Sequence, residues 1–218
     1  IARTVLKESL EGLLKSVRFM QETVNLYRSY AFLQHPVMEA HDGNSLIEET
    51  LELFTLSTSA RVEIRRELAG DAPRCVVDPR LIKLALFNMF SNSLKAIRRR
   101  DPEMDDARGW IRVSTQRTLQ GGLRIVVEDS GTGITHPTGE RMQPHEVDKI
   151  FELGYTNEAS HENGSEGLGL NWVRTIIQDL HGGTIRAANS SEPDAGAVFT
   201  IDLPPIQRPA PPEASNAG

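Results

Sequence analysis

The 218-residue sequence has a single cysteine, no long apolar run and no excess of positive charge. One cysteine, Cys75, excludes an internal disulfide framework and a cysteine-rich zinc site, and it suits a reducing compartment. Without a run of about 18 apolar residues, no segment is predicted to span or contact a membrane. A net charge of -6 argues against a nucleic-acid partner, which requires a basic excess. Proteins or small molecules are the predicted partners.

The first 34 residues contain no proline and one glycine, and their apolar residues recur at helical spacing. The pattern predicts one helix, about 50 Å long at a rise of about 1.5 Å per residue. Its apolar stripe is too long to be buried against a compact domain, so pairing with another helix is predicted. The helix ends near His35-Pro36, because the residue before proline avoids helical geometry. The sequence begins with Ile1, which is consistent with a piece of a longer protein.

Beyond the turn Asp42-Gly43-Asn44, helical and strand-like patterns alternate. Helices are predicted over 45–56, capped by Asn44 or Ser45, and over 79–99 and 168–180. Strands are predicted over 62–68, 111–117, 123–128, 184–188 and 197–203, the second and third as a hairpin. The predicted domains are a helix and linker over 1–41, a globular domain over 42–204 and a disordered tail over 205–218.

The first candidate site is an asparagine pair in the segment LALFNMFSNSLKA. Asn88 and Asn92 are four residues apart and share one helical face with Lys95. An amide oxygen is a hard ligand suited to Mg²⁺, which keeps several waters and binds substrate phosphates. Two asparagines that only decorate an exposed helix face are the alternative interpretation of this pair.

The second and third candidates are the segments VVEDSGTGI and KIFELGYT. A carboxylate at a strand end, Asp129, can accept a hydrogen bond from an adenine amine, and the glycines after it allow the backbone to approach the base. A tight turn after a strand is the alternative. The KIFELGYT segment places an aromatic residue, Phe151, and a glycine at the start of a long polar loop.

The fourth candidate is the segment GLGL, which opens directly onto a predicted helix. Backbone amides and the positive end of the helix dipole together form an anion site there. GLGL is also compatible with an ordinary helix entry, but the order and spacing of all four segments indicate one site.

These segments resemble the N, G1, F and G2 boxes of the catalytic, ATP-binding domain of sensor histidine kinases, in the GHKL superfamily. The resemblance covers residues from about Ser45 to Pro204, and the wording GYTN and RFMQETVNLYRSYA is most similar to the nitrogen-regulation subclass. The fold that this resemblance implies is an α/β class, a two-layer α/β sandwich of a mixed, mainly antiparallel sheet with three helices, preceded by a long dimerisation helix.

The resemblance also implies a role for each matching residue. Asn92 is the Mg²⁺ ligand, Lys95 lies near the phosphates, and Asn88 takes the place of the general base of the ATPase members, a role that an amide cannot serve. Asp129 and Thr200 surround the adenine. The remaining nucleotide-binding residues are Gly131, Gly133, Ile134, Phe151, Gly167, Leu168, Gly169 and Leu170.

Two departures from the family pattern stand out. Ser165-Glu166 precedes Gly167 where the family has GTG, so an acidic residue lies where phosphate is expected and weakens ATP binding. None of the six histidines fits the phosphoacceptor motif, and His41-Asp42 is interpreted as a linker. Residues 1–34 are therefore predicted to be the second helix of the dimerisation hairpin, with the phosphoacceptor helix upstream, so that the isolated chain binds ATP without autophosphorylating.

The function implied is that of an ATP-dependent protein-histidine kinase with ATP and Mg²⁺ as cofactors. Its phosphoryl group passes to a histidine on a companion helix and then to the receiver domain of a response regulator. A homodimer formed through the N-terminal helix is expected, in the cytoplasm or as the cytosolic part of an anchored sensor. The alternatives are a degenerate GHKL module that binds nucleotide without transfer, a GHKL ATPase, and a serine-directed GHKL kinase.

Overall fold

The computed structural model describes residues 35–58, 62–101, 109–155 and 168–206. The helix predicted over residues 1–34 and nearly all of the predicted tail lie outside these ranges. No helix within them is both long and apolar enough to cross a membrane. In chain order the elements are β1 (Glu39–Asp42), α1 (Gly43–Ser57), β2 (Glu63–Glu67), β3 (Arg74–Val77), α2 (Pro79–Arg100), β4 (Trp110–Arg117), β5 (Leu123–Asp129), a 3₁₀ helix (Val147–Phe151), α3 (Gly169–Arg174) with a π-helical continuation (Thr175–Leu180), β6 (Thr184–Asn189) and β7 (Ala197–Leu203).

The main sheet of the described residues has five strands in the order β2-β4-β5-β7-β6. β2 runs parallel to β4, and the other neighbours are antiparallel, including the predicted hairpin of β4 and β5. Buried residues alternate with half-buried ones along β4, β5 and β7, so one sheet face is apolar and packs under α1, α2 and α3. The predicted two-layer α/β sandwich with a mixed, mainly antiparallel sheet is confirmed.

A small second sheet, which the sequence pattern did not predict, pairs β1 with β3. Both strands have four residues and His41 lies opposite Cys75. The first helix after it also begins earlier than predicted, because its N-cap is Asp42 rather than Asn44 or Ser45. The Asp42 side chain accepts the backbone N–H of Ser45 at 2.8 Å.

The core helix is α2, which ends one residue beyond its predicted bounds. It begins at Asp78, whose side chain accepts the N–H groups of Arg80 and Leu81, and proline occupies its first turn. Buried residues recur every three or four positions from Leu81 to Ile97. A second face of α2, only partly covered, carries the asparagine pair.

The end of the π-helical segment is joined to the start of α2 by the buried side chain of His181. Its Nδ1 donates to the carbonyl of Ile176 at 2.7 Å, and its Nε2 accepts the N–H of Asp78 at 3.0 Å. Nε2 can accept only while the ring is neutral. Burial lowers the pKa of His181, against the opposing effects of the Ile176 carbonyl and Asp78. The fold therefore selects neutral His181.

A His181→Gln variant should lose part of the pH dependence of stability. The folded-state pKa of His181 lies below its unfolded value, so its contribution is complete above the unfolded pKa and is lost as the pH falls through the folded pKa. The pKa of Asp78 is about 2, far below that window. Urea unfolding between about pH 5 and pH 8 should show a difference in unfolding free energy, wild type minus variant, that rises with pH and then levels.

The exposed His145 offers a matched control, since His145→Gln should leave that pH profile unchanged. A difference between wild type and His181→Gln that stays constant with pH would contradict the assignment of a neutral ring.

Candidate functional site

The asparagine pair and Lys95 project from the partly covered face of α2, one or two turns apart. Asn88 Nδ2 donates to the carbonyl of Leu84 at 3.0 Å, which fixes the orientation of its amide. Its Oδ1 then faces the first residue of α3, because a Cβ built on Gly169 would lie 3.2 Å from Asn88 Oδ1. α2 and the GLGL turn are thus in contact through Asn88, and Asn92 and Lys95 follow on the same helix face.

The carboxylate at the end of β5, that of Asp129, is 1% exposed. Its Oδ1 accepts the backbone N–H groups of Gly131 at 2.9 Å and Ala197 at 3.2 Å. Burial raises the pKa of Asp129, and these two N–H groups together with Ser93 oppose the rise. Both backbone donors bind Oδ1, so Oδ2 is the oxygen left to receive a ligand donor. A buried carboxylate with one oxygen already satisfied is suited to binding an amine.

The loop after Asp129 packs directly on the backbone of α2. A Cβ built on Gly131 would lie 2.6 Å from both the carbonyl carbon and the Cβ of Ala96. The N–H of Thr132 donates to the Ala96 carbonyl at 3.3 Å. Only glycine permits this approach, which brings the end of β5 against the helix that carries the asparagine pair.

The turn at Gly133 and Ile134 is held by a side chain from β6, that of Asn189. Asn189 Oδ1 accepts the N–H of Ile134 at 2.7 Å, and its Nδ2 donates to the carbonyls of Ile134 and Met142. Ile134 is buried in the core cluster. The predicted base-pocket segment is therefore fixed between α2 on one side and β6 on the other.

The last two predicted segments meet at the start of α3. Phe151 is buried at the end of the 3₁₀ helix, and its carbonyl accepts Nδ2 of Asn171 at 3.0 Å. Leu168 and Leu170 are half-buried beside Gly169, the first residue of α3. Gly167 lies outside the described residues, as do Ser165-Glu166. KIFELGYT is thus hydrogen-bonded to α3 at Asn171, the residue that follows GLGL.

Thr200 is the one described candidate that the structure does not bring to this site. On β7 it lies opposite Val126 and Arg186, on the sheet face away from the helices. The core-facing residues of β7 occupy the alternate positions on either side of Thr200. Ala197 is the core-facing residue beside Asp129, and its backbone N–H donates to that carboxylate. Thr200 lies away from the site because successive side chains of a strand point to opposite faces of the sheet, and its neighbour Phe199 points to the core.

Sequence reasoning missed a clamp that holds the strand end of the site. Arg100, in the last turn of α2, donates to the carbonyls of Ser130 and Asp194 at 2.9 and 2.8 Å and pairs with the Asp194 carboxylate. Arg100 thereby fixes the loop before β7, from which Ala197 reaches Asp129. Arginine at a helix C-terminus was the only signal in the sequence.

Together, the α/β sandwich and this cluster define a nucleotide-binding domain of the ATPase type. Residues 77–207 match the model of the histidine kinase-, DNA gyrase B- and HSP90-like ATPase family, more than half of the chain. The chain belongs to this family.

Among known proteins, the chain is similar to the signal transduction histidine-protein kinase AtoS of Escherichia coli (strain K12), with 32% identity over 199 residues. That match covers 91% of this chain and 29% of AtoS, so the chain spans less than a third of that relative. The resemblance to sensor histidine kinases drawn from the motifs is confirmed, and the nitrogen-regulation subclass stays a prediction.

Two solved structures share the fold. The catalytic domain of histidine kinase ThkA matches with a TM-score of 0.60 and 24% identity, over 77% of this chain and 95% of that one. Histidine kinase ThkA in complex with the response regulator protein TrrA matches with a TM-score of 0.66 and 22% identity, over 91% of this chain and 51% of that one. At these identities the likeness bears on the fold alone.

Proposed function

We propose that this chain is the ATP-binding catalytic part of a two-component sensor histidine kinase. It transfers the γ-phosphoryl group of ATP to a histidine on a companion helix, from which the group passes to a response regulator. The observation that carries the proposal is that β5, α2 and the start of α3 meet at one place. The buried Asp129 ends β5, the adjoining loop packs on α2, and Asn88 of α2 contacts the start of α3.

The adenine end of the nucleotide lies at Asp129 in this proposal. A carboxylate is an acceptor only, and the exocyclic amine of adenine is a donor. Because Oδ1 already accepts two backbone N–H groups, Oδ2 receives the amine. Gly131, Gly133 and Ile134 form the adjoining wall, and Thr200, on the far face of the sheet, takes no part.

The phosphate end lies between the asparagine face of α2 and the start of α3. Gly167, Leu168, Gly169 and Leu170 supply backbone there, with Phe151 beside them, and Lys95 contributes positive charge. Lys95 is exposed on α2, three residues beyond Asn92. The nucleotide then extends from the end of β5 to the start of α3. Catalysis depends mainly on the positioning of its phosphates.

The residues at the phosphate end fit Mg²⁺. The described residues contain no group of three or more acidic, histidine or cysteine side chains that could hold a metal. A cation bound there would take one amide oxygen, that of Asn92, and complete its shell with phosphate and water, which is the preference of Mg²⁺. The metal would supply charge neutralisation on the β- and γ-phosphates. Asn92 would hold the metal, and Lys95 would neutralise further charge.

Asn88 favours transfer over hydrolysis. An amide cannot remove a proton from water. Its Nδ2 is also engaged by the Leu84 carbonyl, so the side chain is fixed and its Oδ1 faces Gly169. In the transfer, the bond between the γ-phosphorus and the bridging oxygen of ADP breaks, and a bond forms from phosphorus to an imidazole nitrogen supplied by the companion helix.

The remaining partners follow from the same proposal. Residues 1–41 serve as the second dimerisation helix and linker, residues 42–204 as the catalytic domain, and residues 205–218 as a tail. The phosphoacceptor histidine belongs to a companion helix. The protein forms a homodimer and acts in the cytoplasm on the receiver domain of a response regulator.

Substitution of Asn92 by alanine tests the proposal. With radiolabelled ATP and a supplied phosphoacceptor domain, the chain should label the acceptor, and Asn92→Ala should slow labelling by about 30-fold to 100-fold because the metal loses its protein ligand. Asn92→Asp keeps an oxygen ligand and is the matched control, with a smaller loss. Its labelling should still depend on Mg²⁺.

Other outcomes would favour the alternatives. Nucleotide binding without any labelling of the acceptor would favour a non-catalytic module, and steady phosphate release by the isolated chain would favour an ATPase. Equal labelling by the wild type and Asn92→Ala would contradict the metal-ligand role.

A further inference from the structure

Ser93 of α2 is buried in an unusual way. It is 1% exposed, and its Oγ is the one buried side-chain polar atom of the described residues without a hydrogen-bond partner. Burying a hydroxyl without a partner is costly, and most buried polar groups of folded proteins are paired. A buried hydroxyl that lacks a protein partner points to a role in binding.

The position of Ser93 on the helix directs it to the end of β5. Ser93, Ala96 and Ile97 share one face of α2. Ala96 and Ile97 are the residues against which Gly131 packs, with a built Cβ only 2.6 to 2.8 Å from their backbone atoms. Ser93 lies one turn earlier on this face and is near enough to Asp129 to favour its charged form, although the hydroxyl does not have the geometry of a hydrogen bond to it.

The purine edge requires a donor beside this carboxylate. In adenine the exocyclic amine is a donor, and the neighbouring ring nitrogen N1 is an acceptor. Asp129 can accept from the amine but offers nothing to N1, since an ionised carboxylate has no hydrogen to donate. Guanine reverses both groups, with a carbonyl oxygen and an N1–H. A hydroxyl beside the carboxylate completes a site for adenine.

We propose that Ser93 is a specificity-determining residue that donates its hydroxyl hydrogen to N1 of the adenine, directly or through one water. This inference rests on the proposed function and extends it. Asp129 and Ser93 together form an acceptor and donor pair that matches the donor and acceptor of a 6-aminopurine. The partner that Ser93 lacks is supplied by the nucleotide.

The test is a binding cycle on the full chain with ATP and 1-deaza-ATP, in which a C–H replaces N1 and the amine remains. One neutral hydrogen bond corresponds to about a fivefold to tenfold change in Kd. The wild type should bind 1-deaza-ATP about fivefold to tenfold more weakly than ATP. Ser93→Ala should bind ATP with about the same loss and should show no further loss with 1-deaza-ATP.

Ser114→Ala is the control, on the outer face of β4 away from the helices, and should behave as the wild type. An undiminished loss with 1-deaza-ATP in Ser93→Ala, or equal binding of the two nucleotides by the wild type, would overturn the role of Ser93 alone. No ATP binding by the folded wild type would overturn the proposed function itself.

Discussion

Asp129→Asn should weaken ATP binding by about 1,000-fold, since the variant replaces the acceptor for the adenine amine with an amide group. If the amide oxygen keeps the place of Oδ1, where it can still accept from Gly131 and Ala197, the amide nitrogen faces the amine. Two donors then oppose each other in a buried place. The loss therefore exceeds that of one missing hydrogen bond.

The same substitution should stabilise the nucleotide-free fold. Burial raises the folded-state pKa of Asp129 above its unfolded value, so the stability it contributes is complete below the unfolded pKa and is lost as the pH rises through the folded one. Above the folded-state pKa, the ionised carboxylate carries the free-energy cost of its desolvation. Asparagine avoids that cost, and each kcal/mol gained raises the melting temperature by about 2–4 °C.

Calorimetric titration with ATP and thermal unfolding measure the two effects side by side. Asp202→Asn is the control, because Asp202 lies on the outer sheet face, where it pairs with Arg124 and Arg186. That variant should lose some stability and keep its ATP affinity. A lower melting temperature for Asp129→Asn, or ATP affinity equal to wild type, would contradict the role of this carboxylate.

Gly131→Ala should reduce both stability and binding. The added methyl group would meet the backbone of Ala96 and Ile97 at 2.6 to 2.8 Å, and backbone atoms cannot move aside as a side chain tip can. Overpacking of this kind costs about 3 kcal/mol, a change of more than 100-fold in the folding equilibrium. The loop would separate from α2 and take Asp129 out of position, so ATP affinity should fall as well.

Urea unfolding and ATP titration of Gly131→Ala measure both losses. Gly70→Ala is the matched control, since a Cβ at Gly70 meets nothing within 4 Å and its backbone is not left-handed. It should unfold and bind as the wild type does. Wild-type behaviour of Gly131→Ala would show that the close approach to α2 is not required.

Much of the sandwich could be predicted because its elements repeat with a clear period. The buried residues of α2 recur at helical spacing, and those of β4, β5 and β7 alternate, so the bounds agree within one or two residues. β1 and β3 could not be predicted in this way. Each has four residues, and their pairing joins parts of the chain more than thirty residues apart.

Within the candidate site, the motif residues could be singled out from the sequence, but their hydrogen-bond and packing partners could not. Thr200 could have been placed from the sequence, since counting in twos from Phe199 and Ile201 assigns it to the outer face. Ala197 and Ser93 carried no signal in the sequence, and Arg100 carried only that of an arginine at a helix end. Their roles depend on which loop lies against α2, and that contact is a property of the folded chain.

We expect ATP to bind where the end of β5 meets α2. The most direct measurement is a titration of the ¹⁵N-labelled chain with ATP and Mg²⁺, followed by NMR at the amides of Gly131 and Ala197, which donate to Asp129. We expect both signals to shift along one saturating curve while that of Gly70 stays in place. Unchanged Gly131 and Ala197 signals at saturating nucleotide, in folded protein, would contradict the claim.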